Sequence, residues 1–294
     1  ASHCHQGRSR LGSLQGRKAA ALRTLMWLHY IRRAFTLQPH IAAAKAWRII
    51  LRYYRQRVLW IKQRFCASFH TLSSSLRLVQ CFDSFEFTLS LNEMHALHLA
   101  TTKTQQNQFN LLGSGWVRVE YGIGCAGTEG HRYPSGPMLK TDPGGRWLKG
   151  RINQRNLAGA NKRWRLIQGS HRAIDWQLDF NTGYRWSERT WGQKTQVAPR
   201  PGVDIKVPWE LGRLQHLPQL ALAHAAATQK AAGSTFATPE TYALAFQNQL
   251  LDFLATNPPG WGVNWHCSMD VAIRISNVLL AWNIFRVSGM AFSD

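Results

Sequence analysis

The segment 208–286 constrains the fold most, because apolar residues recur there every three or four positions between clear helix boundaries. Pro208 and Glu210 favour the first turn of a helix, where a missing backbone N–H is tolerated and a carboxylate meets the positive end of the helix dipole. Thr238 and Pro239 mark a second helix start. These helix-start signals, together with the apolar spacing, predict a set of packed helices.

Three helices are expected in this segment. The first continues through Leu222 with a kink at Pro218. The second ends at the Asn257-Pro-Pro-Gly sequence, and its buried face comprises Tyr242, Phe246, Leu250, Phe253 and Leu254. The third runs from about Ser268 to Arg286, with apolar and small residues available for packing at Met269, Ala272, Ile273, Ser276, Leu279 and Leu280. Hairpins of such helices build bundles, solenoids and toroids, so the residues indicate a mainly α fold.

The preceding segment, residues 81–204, is mixed in character, and 205–294 is treated as a separate helical domain. A helix is expected around residues 91–100. Farther on, Val117, Val119 and Tyr121 alternate with charged residues, as in a strand with one buried face.

Two irregular stretches flank that strand. Gly113 and Gly115 precede it, whereas a dinucleotide-binding loop follows a strand and opens a helix, so a glycine turn is favoured. The segment 127–170 is rich in Gly, Pro, Asn and basic residues. We expect it to be poorly ordered loop, with weak strands near Trp147 and residues 164–167.

The N-terminal arm, residues 1–80, differs in charge from the rest of the chain. No Asp or Glu precedes Asp83, and 15 of the 36 Lys and Arg residues do. Pro39 divides its helical pattern into two helices. The apolar stripe of the second helix comprises Trp47, Ile50, Leu51, Tyr54, Val58, Ile61 and Phe65. We expect the arm to pack on the protein or a partner, and contact with a membrane surface or a nucleic acid is the alternative.

Other patterns narrow the class of protein. Five scattered cysteines, Cys4, Cys66, Cys81, Cys125 and Cys267, form no C-x-x-C pair, so free thiols are expected and no disulfide framework. No histidine pair at metal spacing and no G-x-S-x-G sequence occurs, and we expect neither metal nor cofactor. Neither a membrane-spanning apolar run nor a secretion leader is visible. The net charge of +21 favours polyanions: nucleic acids, anionic lipids or uronic-acid polysaccharides.

The loop 257–270 and its neighbouring helices collect groups suited to an acidic sugar. Trp265 offers an aromatic face for sugar C–H groups, and Asn264 offers hydrogen bonds to hydroxyls. Arg213 and His216 share one helical face, and Arg274 shares another with Asp270. A cleft lined by Arg213, His216 and Arg274 would complement a uronate carboxylate, because guanidinium binds carboxylates in two-point contacts. The alternative is structural: the indoles belong to the core, Asn264 bonds loop backbone and the arginines form ordinary ion pairs.

A glycosidase pair is a weaker interpretation of Asp175 and Asp179. Two carboxylates can act as acid and base across a glycosidic bond. Arg172 and Arg185 are close in sequence, however. We therefore expect the two carboxylates to form local ion pairs or turns.

Three segments, 173–186, 204–217 and 257–274, resemble the N-terminal domain of heparinase II/III-type polysaccharide lyases in order and spacing. They read AIDWQLDFNTGYRW, DIKVPWELGRLQHL and NPPGWGVNWHCSMDVAIR. The segment 109–115 resembles a run that precedes them. The likeness covers roughly residues 108–285 and leaves out the basic arm.

This resemblance implies an incomplete (α/α) toroid that continues beyond residue 294 and is followed by a β-sandwich domain. It implies β-elimination of a uronic-acid polysaccharide such as a glycosaminoglycan or alginate, in which neutralising the carboxylate acidifies the C5 proton that a Tyr or His removes. Catalytic residues are expected downstream of Asp294. The positions matching the groove or its support are Trp209, Arg213, His216, Asn264, Trp265 and Arg274. Gly212 and Val278 depart from the serine and tryptophan expected there.

The resemblance also implies a setting and a partner. Relatives of this type are usually exported, so a periplasmic or cell-envelope location is expected. The expected partner is an acidic polysaccharide and not a nucleic acid, and this chain alone is expected to be inactive. A non-catalytic glycan-binding or surface-polysaccharide assembly protein using the same helical groove is the alternative function.

Overall fold

The computed structural model describes residues 39–65, 84, 87–229 and 236–292. The chain divides into two compact units, residues 1–62 and 63–294. The helix expected at residues 20–38 lies outside the described residues. Cys4, Cys66 and Cys81 lie outside them as well.

The described part of the first unit belongs to helix α1, Pro39–Phe65. The helix begins at Pro39 as predicted, because proline tolerates the first helical position, where no backbone N–H is needed. Its predicted apolar stripe is exposed at the described positions, Trp47, Ile50, Leu51, Tyr54, Val58 and Ile61. The helix is confirmed, and its partner stays a prediction.

The second unit is mainly helical, which confirms the coarse fold class. Its α-helices are α2 (Leu91–Gln105), α3 (Leu157–Trp164), α4 (Lys206–Gly212), α5 (His216–Thr228), α6 (Pro239–Thr256) and α7 (Ser268–Val287). Its strands are β1 (Gln108–Phe109) and β2 (Val117–Arg118). One-turn 3-10 helices lie at Arg146–Leu148, Gln154–Asn156, Gly192–Lys194 and Val263–Trp265.

Helix α5 is central to this unit: α2, α6 and α7 pack against it, and α3 packs against α6. Leu217 and Leu220 of α5 are fully buried. The same hydrophobic cluster includes Phe109, Ile174 and Trp176 from the mixed segment. Residues before and after position 205 therefore share one core.

The start of α2 follows from its sequence. The Ser90 hydroxyl accepts a hydrogen bond from the Glu93 backbone N–H at 3.3 Å, and the Glu93 carboxylate accepts one from the Ser90 N–H at 2.8 Å. This capping box satisfies two backbone donors that the helix itself cannot pair.

The β1 and β2 strands form a short antiparallel hairpin. Gln108 pairs with Arg118 and Phe109 with Val117. The predicted alternation is confirmed, because Val119 and Tyr121 are buried. Gly113 and Gly115 have φ values of +76° and +68°, so the glycine turn is confirmed as well.

The predicted first helix of segment 208–286 is instead two helices, α4 and α5. The chain turns at Leu214, which is fully buried with φ +57°, a left-handed conformation. Pro218 lies in the first turn of α5, where its missing N–H breaks no hydrogen bond. The predicted kink at Pro218 is therefore wrong, since the break precedes the proline.

Helices α6 and α7 match their predicted bounds closely. Pro239 occupies the first turn of α6, and Tyr242, Phe246 and Phe253 are buried as expected. The predicted packing face of α7 is partly wrong, because Met269 and Leu280 are exposed. Helix α7 instead buries the polar side chains Asp270, Arg274 and Asn283 beside the apolar Ala281, Ile284 and Phe285. The spacing of apolar residues does not identify a helix face whose buried side chains are polar.

The segment 127–170 is packed, contrary to expectation. Leu148, Ile152 and Trp164 contribute to a second small core. The indole Nε1 of Trp164 donates to the Asp142 carbonyl at 2.9 Å, and the Trp147 and Trp164 rings are 4.7 Å apart. The predicted strands are wrong here, because Trp147 lies in a 3-10 helix and Trp164 ends α3.

Candidate functional site

The predicted sugar-binding residues lie around one junction, where α4, the loop 257–267 and the first turns of α7 meet. The Trp209 indole N–H donates to the Val263 carbonyl at 2.9 Å. The Arg213 Nε donates to the Asp270 carboxylate at 2.7 Å. These contacts join residues more than fifty positions apart in sequence.

Beneath this surface lies a buried set of side chains that we call the junction network: Gln177, Asn257, Asn264 and Arg274. Gln177 Nε2 and Asn264 Nδ2 both donate to the Asn257 side-chain oxygen, at 2.7 and 3.0 Å. Arg274 donates to the backbone carbonyls of Asn264, at 2.9 Å, and Gly212. The network connects all three segments that carry the family resemblance.

Arg274 is part of the interior of the junction. Its side chain is only 4% exposed, and its guanidinium lies 4.5 Å from the Phe253 ring centroid and 5.3 Å from that of Trp265. Burial lowers the pKa of Arg274 to about 10, although the charge of Asp270 opposes the shift. The structure thus gives Arg274 a supporting role and leaves it little contact with solvent.

Arg213 is more accessible, but its charge is already matched. It forms ion pairs with Asp270 and with Glu210, one turn earlier on α4. Burial would lower the pKa of Arg213, but the hydrogen bond to Asp270 and the charges of Glu210 and Asp270 outweigh it and raise the pKa. A uronate carboxylate would therefore compete with two carboxylates already in place.

His216 and Asn264 are buried. The His216 ring lies 5.0 Å from that of Phe109 and 6.3 Å from that of Trp176. Burial lowers the pKa of His216 to about 3, so its imidazole is neutral at ordinary pH. Asn264 donates to the Trp176 carbonyl at 2.9 Å. Asn264 supports the junction from within, whereas His216 packs between aromatic rings of the core, and neither offers a charge to a sugar.

The accessible surface of the junction is mainly aromatic. Trp209 and His266 are partly exposed and stack with ring centroids 5.7 Å apart and planes inclined by 16°. The His266 Nδ1–H donates to the Gly192 carbonyl at 2.9 Å, so this bond sets the tautomer. Trp265, also partly exposed, donates from Nε1 to the Asn257 carbonyl at 3.0 Å. Such a surface suits stacking against a sugar ring.

Sequence reasoning missed the supporting residues Gln177, Asn257 and Gly212. A Cβ on Gly212 would lie 2.2 Å from the Asn264 Oδ1, so this chain needs glycine where serine was expected. The available indication for Gln177 was a polar residue between the large apolar residues Trp176 and Leu178, since buried polar groups normally have partners. No spacing rule identifies the partner.

The carboxylates of Asp175 and Asp179 are structural, as predicted. Asp175 is buried and lies 2.8 Å from the Arg185 Nε, and burial raises its pKa to about 6 while Arg185 opposes the shift. Asp179 accepts hydrogen bonds from the Thr182 hydroxyl at 2.6 Å and the Asn181 N–H at 3.0 Å. Neither carboxylate is placed for acid or base work on a sugar.

Cys125 and Cys267 are free thiols, as predicted. Within the described ranges, no three His, Cys, Asp or Glu side chains converge into a possible metal site. None of the helices in that part of the chain combines the length and apolar character needed to cross a membrane. Comparison with protein-family models, with curated proteins and with solved structures finds no match to this chain.

Proposed function

We propose that this chain is the sugar-binding part of a polysaccharide lyase. The enzyme would cleave uronic-acid polysaccharides by β-elimination in the periplasm or cell envelope. In this proposal, helices α4 to α7 belong to an (α/α) toroid. The observation that carries the proposal is the junction network. Segments 173–186, 204–217 and 257–274 were singled out by resemblance alone, and their residues hydrogen-bond to one another.

The junction would hold a sugar mainly by stacking. The Trp209 and His266 pair and the nearby Trp265 offer apolar ring faces, and the free edge of His266 offers a hydrogen bond. Arg213 would orient the ligand while paired to Asp270. Because Arg213 is already paired with Glu210 and Asp270, the group that neutralises the uronate during elimination is not assigned to Arg213.

The activity test uses the full-length gene product that contains this chain and a panel of uronate polymers. A lyase releases unsaturated, ultraviolet-absorbing ends, and a neutral polymer serves as the control. Absence of such ends from every uronate polymer would overturn the lyase proposal. Binding without cleavage would instead favour the alternative, a glycan-binding or polysaccharide-assembly protein.

The binding test compares Trp209→Ala with Trp282→Ala, which removes a partly buried indole near the C-terminal end of α7. Oligouronate binding is measured by calorimetry at fixed salt. We expect Trp209→Ala to weaken binding by roughly tenfold, since loss of one stacking contact costs about 1 kcal/mol or more. Equal affinity of the two variants would remove the junction from the binding surface.

A further inference from the structure

A polar cleft of about 280 Å³ opens where α2 ends, and we call it the α2 cleft. The residues that matter in its lining are Asn107, Arg118, Glu120, His171 and Arg172. None of the residues predicted from the family resemblance lines it. The α2 cleft is therefore a second polar region, lined by different residues from those of the junction.

Asn107 anchors one side of the cleft in an unusual conformation. Its φ is +56°, in the left-handed region, and the residue is buried. Its side-chain Nδ2 donates to the Arg172 carbonyl at 3.0 Å, and its own carbonyl accepts from the Val119 N–H at 2.9 Å. Asparagine tolerates this region, and the two hydrogen bonds fix this side of the cleft.

His171 is oriented by a buried carboxylate. Its Nε2 lies 2.8 Å from the Asp252 Oδ2, and Asp252 is fully buried. Asp252 also accepts hydrogen bonds from the Ile174 N–H at 2.8 Å and the Trp176 indole N–H at 3.2 Å. Because the core holds Asp252 in place, the imidazole has a set orientation. The His171 side chain is 8% exposed and lines the cleft.

The rim of the cleft carries more positive than negative charge. Arg118 and Arg172 are exposed, and Glu120 lies 3.3 Å from the Arg172 Nη1. The Arg172 side chain is 69% exposed and that of Glu120 is 13% exposed. Ion pairs with such an exposed partner are weak, at about 0–1 kcal/mol. An incoming carboxylate can therefore displace Glu120 from Arg172 at little cost in free energy, and it can bind Arg118 as well.

We propose that the α2 cleft binds one carboxylate-bearing sugar residue, with Arg118 and Arg172 binding the carboxylate and His171 hydrogen-bonding a hydroxyl. The identity of the ligand as a uronate rests on the proposed function. The volume lies just below the roughly 300–1,000 Å³ typical of pockets for drug-sized ligands, which suits a single sugar ring. Guanidinium groups bind carboxylates in two-point contacts that fix the orientation of the ligand.

The test monitors the His171 imidazole by nuclear magnetic resonance in the whole chain, with the resonance assigned by its loss in His171→Gln. Free glucuronate and a uronate trisaccharide are titrated separately, which distinguishes a free sugar from a chain segment as the ligand. Glucose is the uncharged control. We expect either uronate, and not glucose, to shift the His171 resonance in a salt-sensitive manner.

Substitutions test the residues that are proposed to bind the uronate. Arg118→Ala and Arg172→Ala should each weaken binding by roughly tenfold, the loss of about one charge-assisted hydrogen bond. Glu120→Gln should tighten binding several-fold, because it frees Arg172 from its competitor. A merely structural arginine would not show this gain. The matched control is Arg146→Ala, which removes a guanidinium that is 90% exposed and does not line the cleft.

The α2 cleft proposal is overturned by a His171 resonance unmoved by both uronates, or by unchanged affinity in both arginine variants when their thermal melts match wild type. Its failure is distinguishable from failure of the proposed function. If Trp209→Ala alone abolishes uronate binding, the cleft proposal falls and the junction stands. If the full-length protein cleaves no uronate polymer while His171 still responds to uronate, the lyase proposal falls and the cleft stands.

Discussion

The junction and the α2 cleft contain the same kinds of residues in opposite states. In the junction, Arg213 is paired with two carboxylates and Arg274 is buried against carbonyl groups. In the cleft, Arg118 and Arg172 are exposed, and Arg172 pairs with Glu120, the one carboxylate among the residues that line the described cleft. An arginine held by buried partners stabilises the fold, whereas an exposed arginine can exchange its partner for a ligand. Residue type alone does not distinguish these states.

The histidines His216 and His171 also differ in whether a charged group lies beside them. His216 is surrounded by aromatic rings, and burial lowers its pKa to about 3. His171 faces the Asp252 carboxylate at 2.8 Å. Burial without a charged partner disfavours the protonated imidazole, and a buried carboxylate gives the ring an orientation. This contrast leads to four predictions.

The largest expected effect is that of Arg274→Ala on stability. The substitution leaves the buried carbonyls of Gly212 and Asn264 without their donor, and each unsatisfied group costs about 1–3 kcal/mol. We expect the free energy of unfolding, measured by urea titration, to fall by about 3 kcal/mol or more. Arg286→Ala, at the exposed end of α7, is the control. A loss no larger than that of the control would mean that the junction network does not hold the helices together.

A smaller loss is expected from Gly212→Ser, which restores the residue that the family resemblance implies. The new Cβ would lie 2.2 Å from the Asn264 side chain, and such overpacking costs about 1–3 kcal/mol. Urea unfolding of Gly212→Ser in wild-type and Asn264→Ala backgrounds measures the coupling. The cost should shrink when Asn264 is truncated. An equal cost in both backgrounds would show that the close approach is relieved elsewhere.

The third prediction concerns pH. The folded-state pKa of His216, about 3, lies below its ordinary value near 6.5, so its contribution is fully present above pH 6.5 and is lost as pH falls toward 3. Between pH 7 and pH 5 this loss amounts to about 2 kcal/mol. His216→Gln should therefore flatten the stability curve over that interval. His95→Gln, which removes an exposed imidazole, is the control, and equal slopes in both variants would contradict the assignment.

The smallest expected effect is the coupling between Arg172 and Glu120. A double-mutant cycle with alanine should give less than about 1 kcal/mol, decreasing with salt, because the Arg172 side chain is largely exposed. The matched cycle at Arg213 and Asp270 should give a larger, less salt-sensitive coupling, since Asp270 is buried. Equal couplings would remove the distinction between the junction and the cleft.

Local features were predictable from the sequence because their causes lie within a few residues. Pro39 and Pro239 begin helices where proline is tolerated. Gly113 and Gly115 form a turn that needs left-handed backbone. The mainly α character of segment 208–286 followed from the spacing of its apolar residues. The spacing could not show that Leu214 would break the first helix.

The interactions that only the tertiary structure decided join residues far apart in the chain. Arg274 meets the Gly212 carbonyl across 62 positions, and His171 meets Asp252 across 81. Periodicity and helix-start rules describe a residue's own neighbourhood, whereas burial, pairing and accessibility depend on which distant segments pack together. For that reason the sequence indicated the helices and the residue types of the proposed sugar site. Only the fold decided which arginines are buried in the junction and which remain available at the α2 cleft.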